Sequence, residues 1–172
     1  MLNIFKTKTN IPLSEALELK DKIQTKLKVN QNILRNENVV SKNQKRNYNL
    51  KKVLKENEVL QERLVILKLL IQQANLSIPK GEKQCISHHV YTLSERKNLI
   101  QNYESMQRDT VEGDVRSKDK KPAPKELPVF SYVELSGMIS KLKKECSDTE
   151  NNVLTRLNNM VRIDVPFKTD FL

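Results

Sequence analysis

The chain has 172 residues and a mass of 20.0 kDa, enough for one or two small domains. Three Gly, no Trp and 5% aromatics exclude a glycine-rich phosphate loop and leave few hairpin turns. Charged residues at 30% against 37% hydrophobic, with a net charge of +10, point to long amphipathic helices and away from a large core built for catalysis.

The first helix is predicted over residues 12–36. Asn10 is the candidate N-cap, and Pro12 is tolerated in a first turn because its missing N–H had no partner there. Steps of three and four pick out Leu13, Ala16, Lys20, Ile23, Leu27, Asn30 and Leu34, a heptad seam with two polar interruptions. Residues 37–47 are polar and aperiodic and read as a loop, which permits an antiparallel hairpin of two long helices.

The second helix carries the better seam: Leu50, Val53, Asn57, Leu60, Leu64, Leu67, Ile71 and Ala74. Asn57 alone is polar; two readings stand, a lone seam Asn that fixes register or partner number at some loss of stability, or an Asn near a solvated helix start. Val65, Ile66, Leu69 and Leu70 widen the apolar surface beyond the seam, so this half is expected to pack on more than one neighbour. The segment Leu76-Ser77-Ile78-Pro79-Lys80-Gly81 stops the helix.

A third helix is predicted to open at Thr92 through a capping box with Glu95, and to present Leu99, Ile100, Tyr103 and Met106. Residues 108–128, with Gly113, Pro122, Pro124 and Pro128, read as linker or exposed loop. The last helix starts at the Ser131/Glu134 capping box, with Phe130 placed to staple Leu135, and ends before Pro166. Residues 86–91 and 161–165 are the segments able to pair as short strands.

The expected fold is therefore all-α: a long antiparallel, coiled-coil-like hairpin, a third shorter helix and a long C-terminal helix. Residues 1–107 hold the hairpin and third helix, 108–130 the linker, and 131–172 the helix that packs on the first three, with an extended tail.

Several stretches resemble the septicolysin-like family of small helical bacterial proteins. Leu13-Ser14-Glu15-Ala16-Leu17 is similar to the start of that family's first helix, and Leu34-Arg35-Asn36-Glu37-Asn38-Val39 to its exit. Leu70-Ile71-Gln72-Gln73-Ala74-Asn75-Leu76-Ser77 resembles the second helix exit, and Thr92-Leu93-Ser94-Glu95-Arg96 the third helix start. The last helix is similar in length and position. The resemblance implies an all-helical, self-associating protein with no assigned catalytic residues, and the family name implies a cytolysin. The chain departs from the family in having Val161-Arg162-Ile163-Asp164 where a Trp is expected, and a longer 108–128 segment.

The charge is unevenly placed: residues 1–80 hold 16 Lys+Arg and 7 Asp+Glu, residues 81–172 hold 15 and 14. A basic half attracts nucleic acid or other anions. Lys42, Lys45, Arg46, Lys51, Lys52 and Lys55 are the candidate anion contacts, with Tyr48 the single interleaved aromatic. Lys outnumbers Arg 23 to 8, and Arg is the better bidentate phosphate ligand, so the alternative reading is a solvated face.

Cys85-Ile86-Ser87-His88-His89 is the one cluster with metal-capable side chains, and it lacks a second ligand pair at zinc spacing. No catalytic, cofactor or metal residues are therefore expected. No transmembrane segment or signal peptide is visible, which makes the cytoplasm the expected location. The function expected is a non-enzymatic assembly protein with a homo-oligomeric or helical partner, using the seam Leu50, Val53, Asn57, Leu60, Leu64, Leu67 and Ile71. The alternatives are a nucleic-acid-binding accessory protein and a membrane-active cytolysin-like protein.

Overall fold

In the computed structural model, residues 8–39, 45–116 and 129–169 are described. The two heptad-spaced segments become α1 (Leu13–Glu37) and α2 (Leu50–Leu76). Contacts between Glu37 and Asn47 at one level and Asn30 and Asn57 at another run in opposite chain directions, so the pair is an antiparallel hairpin. Leu13, Ala16, Leu19, Ile23 and Leu27 of α1 and Val53, Leu60, Leu67, Ile71 and Ala74 of α2 are buried. Burying a side chain of Val, Leu or Ile size is worth roughly 1.5–3 kcal/mol, so this seam stabilises the hairpin far more than helix propensity does. Leu19 occupies a buried position where Lys20 was expected on the seam; Lys20 is half-buried beside Asp21.

The second polar interruption has a partner. The Asn30 amide donates to Asn57 Oδ1 (2.9 Å) and Glu56 Oε2 (3.2 Å), and both Asn side chains are buried. Each helix thus places its Asn at the level of the other's. A one-turn slip would leave both amides buried among Leu and Ile without a bond, at about 1–3 kcal/mol per group.

Asn10 does not cap α1. It lies in a strand, β1 (Thr9–Pro12), and Pro12 takes the N-cap position without a side-chain bond. The orphan N–H of Leu13 instead donates to the Val161 carbonyl at 2.8 Å. Residues 161–165 therefore pair with the N-terminal segment: β2 (Arg162–Val165) is antiparallel to β1, with Ile11 opposite Ile163 and Thr9 opposite Val165. Residues 86–91, expected to be its partner, are helical. The ribbon buries Ile11, Ile163, Val165 and the following Phe167, whose ring lies 5.3 Å from the Arg63 guanidinium. Burial lowers the Arg63 pKa from its ordinary value. At the far end of α2, Pro79 accepts from the Glu82 N–H, and Gly81 supplies the positive φ of +86° that such a turn requires.

The second compact unit comprises residues 84–156; the first comprises 1–83 and 157–172. Within the second, α3 (Ile86–Arg116) starts earlier and ends later than expected. Ile86, Leu93 and Ile100, spaced by seven, are all buried, so one heptad face runs through Thr92 and Glu95. Their N–H neighbours already have helical acceptors, and the capping-box sequence there caps nothing. Residues 108–116 are helical, so the expected 108–130 linker starts no earlier than residue 117; residues 117–128 lie outside the described residues.

The helix α4 (Tyr132–Asp148) does start at the predicted capping box. It runs antiparallel to α3, with Arg96 near Glu145 (3.4 Å), Glu104 near Lys143 (2.7 Å) and Gln107 on the Tyr132 carbonyl (3.4 Å). Leu93, Ile100, Ile139 and Cys146 form the core, with Tyr103, Leu142 and Leu154 packed against it. The helix continues as a π-helical segment, Thr149–Leu154, and then α5 (Thr155–Met160). Thr149 Oγ1 donates to the Glu145 carbonyl and Thr155 Oγ1 to that of Glu150, the back-bonding that accompanies loosened helix windings. The boundary between units falls just beyond this segment, before the buried Leu157. The fold is essentially all-α, as expected, with one two-stranded ribbon among the described residues.

Asn57→Leu removes the buried acceptor of the Asn30 amide, leaving it only the part-buried Glu56 bond, and is expected to cost about 1–3 kcal/mol, whereas Asn30→Leu combined with Asn57→Leu is neutral or stabilising; urea unfolding of the two variants checks this, and equal losses would remove the Asn pair as a register device.

The Ser131 N–H and hydroxyl both donate to Glu134, holding its pKa below the ordinary value. A depressed carboxylate stabilises above its unfolded pKa, and that contribution is lost as pH falls through the folded value. Glu134→Gln should therefore melt below wild type at neutral pH and converge with it in acid, as followed by circular dichroism.

Candidate interaction surface

The seam expected to drive assembly is occupied inside the chain. Val53, Asn57, Leu60, Leu67 and Ile71 are buried, and Leu50 and Leu64 are half-buried. These residues close the hairpin against α1, and a partner has no access to most of them. What α2 leaves open is its other side. Val65, Leu69 and Leu76 are 57%, 61% and 59% exposed, and steps of four and seven place them in one stripe. Leu54 (51% exposed) continues it toward the N-terminus, with Glu58, Gln61 and Gln72 filling the intervening positions.

The widened apolar segment splits accordingly. Val65 and Leu69 face outward, while Ile66 and Leu70 are half-buried. Leu70 and Ala74, with Gln73 and Ser77, form one wall of a groove whose other wall is Val161, Arg162, Ile163 and Asp164. The second neighbour expected for this half of the helix is thus β2, a strand from the other end of the chain.

The basic residues are only partly available. Arg46 donates from Nε to the Glu37 carbonyl (3.0 Å) and from Nη2 to that of Asn38 (3.1 Å), satisfying carbonyls at the α1 exit. The Glu37 carboxylate in turn accepts from the Asn47 main chain and side chain. Arg46 is therefore a structural clasp on the connection. Lys45, Lys51, Lys52 and Lys55 are exposed, and Lys42 lies outside the described residues. The first turn of α2 contains no acidic residue, so Lys51 and Lys52 sit against the positive end of the helix dipole. By unit, the charge is more polarised than by halves. The first unit holds 19 Lys+Arg and 10 Asp+Glu, the second 12 and 11.

In the second unit, Cys85 and His89 are half-buried and His88 is exposed; the two imidazoles meet edge-on at 5.9 Å. Among the described residues no group of three or more His, Cys, Asp or Glu is placed to hold a metal ion. His88, Tyr91, Thr92, Glu95, Arg96 and Leu99 line a shallow depression along α3. Lys97 is bonded to Glu150, which raises its pKa by hydrogen bond first and by charge second. Among the described residues, no helix is long and apolar enough to cross a membrane.

Residue-pattern reasoning missed the polar network on the ribbon. Arg162 donates through Nε to Asn10 Oδ1 and through Nη2 to the Asn10 carbonyl, and the Asn10 amide donates to Asp164 Oδ1 at 2.7 Å. The available signal was the alternation Arg-Ile-Asp-Val, exposed then buried, in residues 162–165.

Together these features define a small all-helical protein with a hairpin, a second helical pair and a terminal clip. No protein-family model matches the sequence, and no curated protein is similar to it. A solved structure from Corynebacterium diphtheriae, described as a functionally unknown conserved protein, superposes with a TM-score of 0.73. It is 17% identical and covers 90% of this chain and 99% of its own. At that identity the likeness establishes the fold alone.

Proposed function

We propose that this chain is a non-enzymatic helical interaction protein that self-associates or serves as a subunit of a larger complex. The observation that supports this reading is the exposed stripe Val65, Leu69 and Leu76 on a helix whose other apolar side α1 already covers. Exposed apolar residues scattered singly need no explanation, but Val65, Leu69 and Leu76 recur on one helical row, with Glu58, Gln61 and Gln72 interleaved along it, a mixed apolar and polar composition that suits a contact surface. The resemblance of the helix starts and exits to the septicolysin-like family adds to it, because that resemblance implies self-association.

Light scattering is expected to give a mass above that of the 20.0 kDa chain at tens of micromolar. Leu69→Asp is expected to reduce that mass while leaving helix content unchanged. A strict monomer at that concentration removes the self-associating form.

A second reading is a nucleic-acid-binding accessory role, favoured by the concentration of nearly the whole positive excess in the first unit and by exposed Lys45, Lys51, Lys52 and Lys55. Counterion release predicts affinity for duplex or single-stranded DNA that falls steeply with salt. Filter binding across a salt series checks it, and no retention at low salt sinks it.

A further inference from the structure

A two-stranded ribbon leaves one unpaired edge on each strand, and on β2 that edge borders the groove beside Leu70, Ala74 and Ser77. The direction of its main-chain groups follows from the register. Leu13 N–H bonds the Val161 carbonyl, so the pairs that exchange hydrogen bonds are Ile11 with Ile163 and Thr9 with Val165. The intervening pairs, Pro12 with Arg162 and Asn10 with Asp164, do not, which agrees with Pro12 having no N–H to give. The N–H and C=O groups of Arg162 and Asp164 therefore point away from β1.

We infer that this edge pairs, antiparallel, with the same edge of a second copy of the chain, forming a four-stranded sheet across a two-fold axis. The inference rests on the proposed self-association and adds to it a contact surface separate from the α2 stripe. A two-fold ladder using the outward groups has three possible registers. Two place Arg162 opposite Arg162 or Asp164 opposite Asp164, which is repulsive. The third centres the axis on Ile163. It pairs Arg162 with Asp164 of the second copy and Asp164 with Arg162, and it closes four main-chain hydrogen bonds.

The short sequence Arg162-Ile163-Asp164 is thus self-complementary in charge in the one register that also completes the ladder. On the other face the two Ile163 side chains would meet beside Leu70 and Ala74, which line the same groove as Ile163, itself 7% exposed. Asn10 holds Arg162 and Asp164 on the opposite, solvent-facing side of the ribbon, where the cross-axis pairs would form.

The test is a charge-exchange cycle on the full chain, read by sedimentation equilibrium. Arg162→Asp or Asp164→Arg alone sets like charges across the axis twice and should weaken the dimer about tenfold. The combination R162D/D164R restores both pairs and should return affinity to near wild type; Asn10 carries both a donor and an acceptor and can serve the exchanged pair. Asp164→Pro removes an outward N–H while leaving the main-chain bonds to β1 in place, at the loss of the Asn10–Asp164 side-chain bond, and should abolish the dimer, with circular dichroism confirming the fold.

Failure of the double exchange to restore, or a wild-type dimer in Asp164→Pro, overturns the proposal. A dimer that Leu69→Asp breaks and the 162/164 variants leave intact overturns it too, while the reading built on the α2 stripe stands. A wild-type chain monomeric at high micromolar concentration overturns both this proposal and the self-associating form, and leaves only the hetero-subunit form of that reading.

Discussion

One buried hydrogen bond orders the first unit. Asn30 and Asn57 interrupt two otherwise apolar seams, and each is tolerable inside the hairpin because the other stands at the same level. The bond itself contributes little net stability, since water would serve both amides in the unfolded chain. Its effect is on alternatives: any other alignment of α1 and α2 buries two unsatisfied amides. With that alignment set, Lys26 falls near Glu56 (3.5 Å) and Glu37 meets Asn47 at the turn. The last turns of α2 come to lie beside β2.

The ribbon is the complementary constraint. It joins segments more than 150 residues apart, as in the Thr9 hydroxyl on the Phe167 carbonyl, |i−j| = 158. Closing so long a loop is entropically unfavourable, though the penalty grows only logarithmically with length. Burial of Ile11, Ile163, Val165 and Phe167 offsets it, and the Leu13 N–H obtains its acceptor by the same closure. A small, non-local clip thus completes a fold otherwise made of local helical contacts. Such long-range pairing is the slow kind to form.

The two units distribute chemistry differently. The first carries nearly all the positive excess and the open apolar stripe of α2. The second is close to neutral and is laced by exposed pairs such as Arg96–Glu145 and Lys143–Glu104. Exposed pairs of this kind add little stability, with a median near 0–1 kcal/mol, so the core of Leu93, Ile100, Ile139 and Cys146 holds α3 to α4.

Much of this was legible in the sequence of a chain with net charge +10, three Gly and no Trp. Heptad spacing located α1 and α2, the Ser131/Glu134 box located the start of α4, and Asn57 stood out as the polar member of its seam. These are local signals, written in spacing and capping chemistry, and an isolated segment expresses them. The Thr92/Glu95 box misled because a capping sequence acts only where N–H groups are orphaned, and burial of Ile86 and Leu93 carried the helix past that point.

The sequence by itself determined that the chain is helical, where most helices lie and that its charge is concentrated toward one part. Only the tertiary structure decided that Asn57 answers Asn30, that Arg46 is bound to carbonyls, that residues 161–165 pair with 9–12, and which apolar side of α2 remains open. Each of these depends on which distant segment arrives as a neighbour. Periodicity marks a face as apolar but does not name what covers it.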